Sequence, residues 1–92
     1  MTQNSTDQAS SAPVTRYTIF GHEQCGFCRR AKQLLEEQQR PFRYVDIHEN
    51  NISKADLSKT VGHEVTTVPQ IFHGQDYVGG FEALEKHLVA NP

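Results

Sequence analysis

Residues 17–38 read YTIFGHEQCGFCRRAKQLLEEQ, and the order of chemistry within this stretch decides the fold. Tyr17-Thr18-Ile19-Phe20 is aromatic and β-branched and is closed by Gly21, the composition of a short strand. From Cys25 to Gln38 the period changes. Phe27, Ala31, Leu34 and Leu35 recur at i, i+4, i+7 and i+8 among charged and polar residues, which predicts an amphipathic helix. The tetrapeptide Cys25-Gly26-Phe27-Cys28 therefore stands where a strand has just ended and a helix begins. The first N–H groups of a helix have no intrahelical partner and its dipole is positive there, so a sulfur at Cys25 is activated as a nucleophile. Arg29 and Arg30 are expected to add positive charge. Cys28, one turn further in, is within reach of a mixed disulfide formed on Cys25.

Outward from this stretch the segments keep alternating, as in a minimal α/β domain. Pro41 stops the helix and residues 42–47, FRYVDI, form a second strand; a helix between two strands makes them parallel. Asn50-Asn51 breaks the pattern, and Ser53 with Asp56 fits a capping box opening a short helix through Thr60, with Gly62 as its stop. Residues 68–72 and 75–78 are two short strands about His73-Gly74, a hairpin. Gly79-Gly80 opens a closing helix that carries Phe81, Leu84 and Leu88 on one face. Residues 1–14, MTQNSTDQASSAPV, show no apolar period and are expected to form a flexible tail ahead of a single domain over residues 15–92.

Composition narrows the function. Ninety-two residues leave room for one small domain. With 36% hydrophobic and 22% charged residues the chain is neither disordered nor fibrous, and a net charge of −2 gives no support for a nucleic-acid or anionic-membrane partner. No stretch approaches the roughly 20 apolar residues of a membrane span, and the N-terminus has neither the basic nor the apolar region of a secretory signal. Two cysteines are too few to staple a secreted scaffold, so their role is chemical and the expected compartment is a reducing cytoplasm. A His22-x-x-Cys25-x-x-Cys28 run could also be read as metal ligands, but a structural zinc site takes four and no second pair follows at ligand spacing.

YTIF before CGFC, YVDI after the helix, then TVPQIF and GGFEAL, together resemble the small bacterial-type dithiol glutaredoxins over about residues 16–88. The resemblance implies a thioredoxin-like α/β fold of order βαβαββα: a four-stranded mixed sheet flanked by three helices, its hairpin strands antiparallel to the first. It implies a glutathione-dependent thiol–disulfide oxidoreductase that reduces protein disulfides and protein–glutathione mixed disulfides. Cys25 is then the nucleophile and Cys28 the resolving thiol. Glutathione, as reductant, would be held by His22, Phe27, Thr67, Val68, a cis Pro69, Gly80, Phe81 and Glu82.

The expected partners are glutathione and disulfide-containing or glutathionylated proteins, with ribonucleotide reductase a candidate by resemblance, and the expected state is a monomer. The chain departs from the common family pattern in having Gly26-Phe27 where many members have Pro-Tyr, Ala83 where an acid often stands, and His22 where Lys or Arg is frequent. Gly26 motivates a first alternative, a dimer sharing a [2Fe–2S] cluster through Cys25 and glutathione. Ala83 motivates a second, a redoxin reduced by thioredoxin reductase.

Overall fold

A computed structural model describes residues 15–91; the tail expected over residues 1–14 lies outside them. The elements follow in the order β1 (Tyr17–Gly21), α1 (Gly26–Glu37), β2 (Phe42–Asp46), α2 (Lys54–Val61), β3 (Gln70–His73), β4 (Asp76–Gly79) and α3 (Phe81–Ala90). They build one four-stranded sheet ordered β2-β1-β3-β4. β1 and β2 are parallel in the register Tyr17↔Phe42 to Gly21↔Asp46, as the helix between them requires. β3 is antiparallel to β1. β4 pairs antiparallel with β3 and so runs in the direction of β1. The expectation that both hairpin strands oppose the first holds for β3 alone, because a hairpin turn reverses the chain.

Along β1 burial alternates, with Tyr17, Ile19 and Gly21 buried on one face. That face meets Ala31 and Leu35 of α1, Ile71 of β3 and Leu84 and Leu88 of α3, a single core. The face of α1 differs from the one its periodicity suggested. Cys28, Ala31 and Leu35, at i, i+3 and i+7, are its buried residues, and Phe27 is 54% exposed. A helix turns about 100° per residue, so with Leu35 at the centre of the stripe and Cys28 and Ala31 on either side, Phe27 falls beyond its edge.

The capping box of α2 is present in full. Ser53 Oγ accepts the Asp56 N–H at 3.0 Å, the Asp56 carboxylate accepts the Ser53 N–H at 3.2 Å, and Gly62 ends the helix at φ 99°. α2 buries one residue, Leu57. The hairpin turn is Gly74-Gln75, one residue later than the spacing suggested, because His73 still pairs with Asp76. β3 begins at Gln70 and not at Val68, since Pro69 has no N–H to give a ladder. No helix among the described residues is long and apolar enough to cross a membrane.

Candidate active site

Parallel pairing of β1 and β2 brings their C-terminal ends together, and the loop after β1 delivers Cys25 to the start of α1. Cys25 is the N-cap of that helix. Its Sγ accepts the Cys28 N–H at 3.2 Å, as a serine or aspartate cap would, and lies 3.6 Å from the Val68 carbonyl, to which the thiol donates. The Val68-Pro69 peptide is cis. The reactive sulfur is therefore framed by the first turn of α1 on one side and the segment before β3 on the other, and it is partly open to solvent.

Cys28 is the opposite case. Its side chain is fully buried. Burial pushes the Cys28 thiol up to about 12, reinforced by its hydrogen bond with Cys25, while the His22 backbone and the Tyr44 hydroxyl pull the other way. Gly21 makes room for this sulfur: a Cβ at that position would lie 2.6 Å from Cys28 Sγ, 2.9 Å from its Cβ and 3.0 Å from Tyr44 Oη.

Two grooves flank the Thr66–Val68 segment. The larger, about 720 Å³, brings together Phe27, Thr67, Val68, Pro69, Gly80, Phe81 and Glu82, seven of the eight residues expected to hold glutathione. Its far end is the start of α3. The N-cap there is Gly80, with no side chain to cap the helix, so the first N–H groups of α3 have no side-chain partner. Of the two glycines it is Gly79 whose conformation calls for glycine, at φ 125° and with Ala83 Cβ 3.0 Å from where its Cβ would be. Gly80 is extended and has room for a methyl group.

His22 lies in the second groove, about 380 Å³, with Cys25, His48, Lys54, Thr67 and Val68. Its ring stacks on His48 at 4.6 Å between centroids and 10° between planes. The two arginines expected to add positive charge each engage a neighbouring group. Arg29 donates to the Glu23 carbonyl at 2.6 Å, and the Arg30 guanidinium lies over the Phe27 and Phe81 rings at 5.6 and 5.3 Å. Among the described residues, no three His, Cys, Asp or Glu side chains converge as a metal site requires.

Residues that motif reading did not single out hold this arrangement in place. Buried Gln70 donates from Nε2 to the Thr67 carbonyl at 2.9 Å and accepts the Tyr77 hydroxyl on Oε1. Ser58 of α2 accepts the Val65 N–H at 2.9 Å and donates to the Val65 carbonyl at 3.3 Å. Tyr44 and His48 owe their place to pairing and loop geometry and carry no local signal. Gly21 had one signal, as the residue that closes the first strand.

The glutaredoxin family model matches residues 14–78 of the chain. Glutaredoxin 1 of Salmonella typhimurium is 50% identical over 76 residues, covering 74% of this chain and 87% of its own. The glutaredoxin of Vibrio cholerae is 47% identical over 78 residues, covering 79% and 90%. Among solved structures, reduced Escherichia coli glutaredoxin superposes with a TM-score of 0.73 at 37% identity, over 83% of this chain and 95% of that one. A buckwheat glutaredoxin–glutathione complex superposes with a TM-score of 0.67 at 25% identity, over 83% and 71%.

Proposed function

The chain belongs to the glutaredoxin family and is a glutathione-dependent thiol–disulfide oxidoreductase, and from that premise we propose a role for each group around Cys25. The Cys25 thiolate attacks a sulfur of the substrate disulfide, forming a Cys25 mixed disulfide and releasing the other sulfur as a thiolate that takes up a proton. With a protein disulfide, Cys28 then attacks Cys25 Sγ, the Cys25–Cys28 bond forms and the reduced protein leaves. Two glutathione molecules restore the dithiol and depart as glutathione disulfide. With a glutathionylated protein, Cys25 takes the glutathionyl group and a second glutathione resolves it without Cys28.

The observation that carries this reading is the position of Cys25 Sγ, at the helix N-cap and 3.6 Å from the carbonyl of Val68, a residue of the wall that the two grooves share. Glutathione lies along Thr67 and Val68 beside Cys25, with Phe27 and Pro69 lining the groove. Its γ-glutamyl carboxylate meets the uncapped N-terminus of α3 at Gly80 and Phe81, and Glu82 faces its ammonium group. The glycyl end reaches toward His22 and Lys54 in the second groove. The protein works as a monomer in a reducing cytoplasm, on disulfide-containing or glutathionylated proteins. Cys28 buried behind Cys25 favours this dithiol chemistry over a glutathione-ligated [2Fe–2S] dimer, which would use Cys25 alone.

The test is NADPH consumption coupled through glutathione and glutathione reductase, run beside thioredoxin reductase alone. Cys25→Ser is expected to abolish reduction of both substrate classes, and Cys28→Ser to keep deglutathionylation while losing protein disulfide reduction. Turnover with thioredoxin reductase only, or equal loss in both variants, would overturn the assignment.

A further inference from the structure

Resolution poses a chemical problem that Cys25 does not share. The attacking group at Cys28 must be a thiolate, yet its sulfur is buried with no exposed surface. A buried anion persists only where a donor faces it.

Beside the His22 backbone, one polar side chain among the described residues can meet that need. Tyr44, on β2, holds its hydroxyl buried and, the Cys28 sulfur apart, without a hydrogen-bond partner. An unpartnered buried hydroxyl ordinarily costs free energy, so its retention calls for an explanation. The position of an absent Gly21 Cβ is 2.6 Å from Cys28 Sγ and 3.0 Å from Tyr44 Oη, so the two atoms flank the same gap beside the Gly21 backbone. The charged groups about Tyr44 are Glu23 on the loop before α1, Asp46 on β2, and Arg29, Glu36 and Lys32 of α1, the last with its ammonium 5.5 Å from the ring centroid.

We propose that Tyr44 is a positioning residue for the resolving step, its O–H donating a hydrogen bond to the Cys28 sulfur as that sulfur becomes a thiolate. The proposal rests on Cys28 being the resolving thiol. Cys28 loses its proton, attacks Cys25 Sγ, and the bond from Cys25 to the departing sulfur breaks. The departing thiolate gains a proton, so the substrate is reduced by two electrons and the dithiol is oxidised by two. Tyr44 keeps its own proton throughout. Burial first, and then the neighbouring Cys28, Glu23 and Asp46 charges, raise the Tyr44 phenol above its ordinary value, which keeps it a donor.

The experiment follows glutathione release from protein carrying a pre-formed Cys25–glutathione mixed disulfide, in single turnover across pH 6–10. Wild type should release glutathione with a rate that climbs with pH, and Cys28→Ser should not. Tyr44→Phe should be about tenfold slower at pH 7, its rising limb displaced about one pH unit upward, as expected for loss of one hydrogen bond to an anion. Site-specific 3-fluorotyrosine at position 44, a stronger donor of nearly the same volume, should displace the rising limb the opposite way, and it decides the matter if the phenylalanine variant folds poorly. Coincident profiles for wild type, Tyr44→Phe and the fluorinated protein would overturn the role of Tyr44 while leaving Cys28 in place. Release from Cys28→Ser at the wild-type rate would overturn the resolving assignment and the Tyr44 role with it.

Discussion

At Gly21 a missing side chain lets the resolving sulfur stand where it does. A methyl group there would press on Cys28 Sγ at 2.6 Å and on Cys28 Cβ at 2.9 Å, and the second contact is with an atom fixed to the backbone of α1. Replacing glycine by alanine ordinarily gains up to about 1 kcal/mol through the unfolded chain, whereas forcing volume into a packed core costs roughly 1–3 kcal/mol. The core cost wins. Gly21→Ala should therefore melt about 5–15 °C below wild type in the reduced form, and the same displacement of Cys28 should slow closure of the Cys25–Cys28 bond. A thermal melt of the reduced variant beside wild type checks this, and an equal or higher midpoint would show that the gap is not filled as described.

Among the helices, α2 is the most lightly anchored, since it buries Leu57 alone and depends on its caps and on Ser58. Ser58 ties both backbone groups of buried Val65, and Val65 leads directly into Thr66, Thr67 and Val68, the wall shared by the two grooves. Ser58→Ala removes both bonds and leaves a buried N–H unpaired, a cost of about 1–3 kcal/mol. The expected result is faster amide exchange over residues 65–68 and a several-fold higher KM for glutathione, with kcat changed less. Unaltered exchange in that segment would mean that another contact holds it. The caps that bound α2 were legible in the sequence because Ser53, Asp56 and Gly62 act on their own helix. The heart of the site was legible for a similar reason, as a cysteine pair needs only a strand before it and a helix after it. Phe27 was placed on the apolar stripe because periodicity locates a stripe without its centre, and the third core contact of α1 is the thiol of Cys28. Pairings across the fold were not legible: the His22–His48 stack joins two loops, and the Tyr17, His73 and His87 rings meet from β1, β3 and α3. Tyr44 shares a strand face with Phe42, and along β2 a catalytic neighbour cannot be told from a core aromatic.

For the molecule as a whole, the buried titratable groups set the pH range in which the fold is secure. Burial raises Cys28 from 9.0 to about 12, and raises Tyr17 and Tyr44 above 10.0. Each is neutral in the folded protein, so its contribution is complete below the unfolded value and is lost as pH rises toward the folded one. Stability should fall from about pH 9 upward. On the acid side, burial chiefly lowers His87, whose Nδ1 lies 3.0 Å from the Tyr17 hydroxyl. Its neutral form is favoured in the fold, so its contribution is complete above 6.5 and fades as pH falls below. The melting temperature of the reduced protein should therefore peak between about pH 7 and 9. The alkaline limb can be divided between the thiol and the phenols by comparing wild type with Cys28→Ser under a phosphine reductant. Serine does not titrate in this range and both tyrosines remain, so the phenol contribution is common to the two proteins. The wild-type melting temperature should lose more than that of the variant between pH 8.5 and 11, because only wild type must keep a thiol protonated that the unfolded chain would ionise. Parallel curves over that interval would mean that the buried phenols alone carry the alkaline loss, and that Cys28 reaches solvent more readily than its complete burial implies.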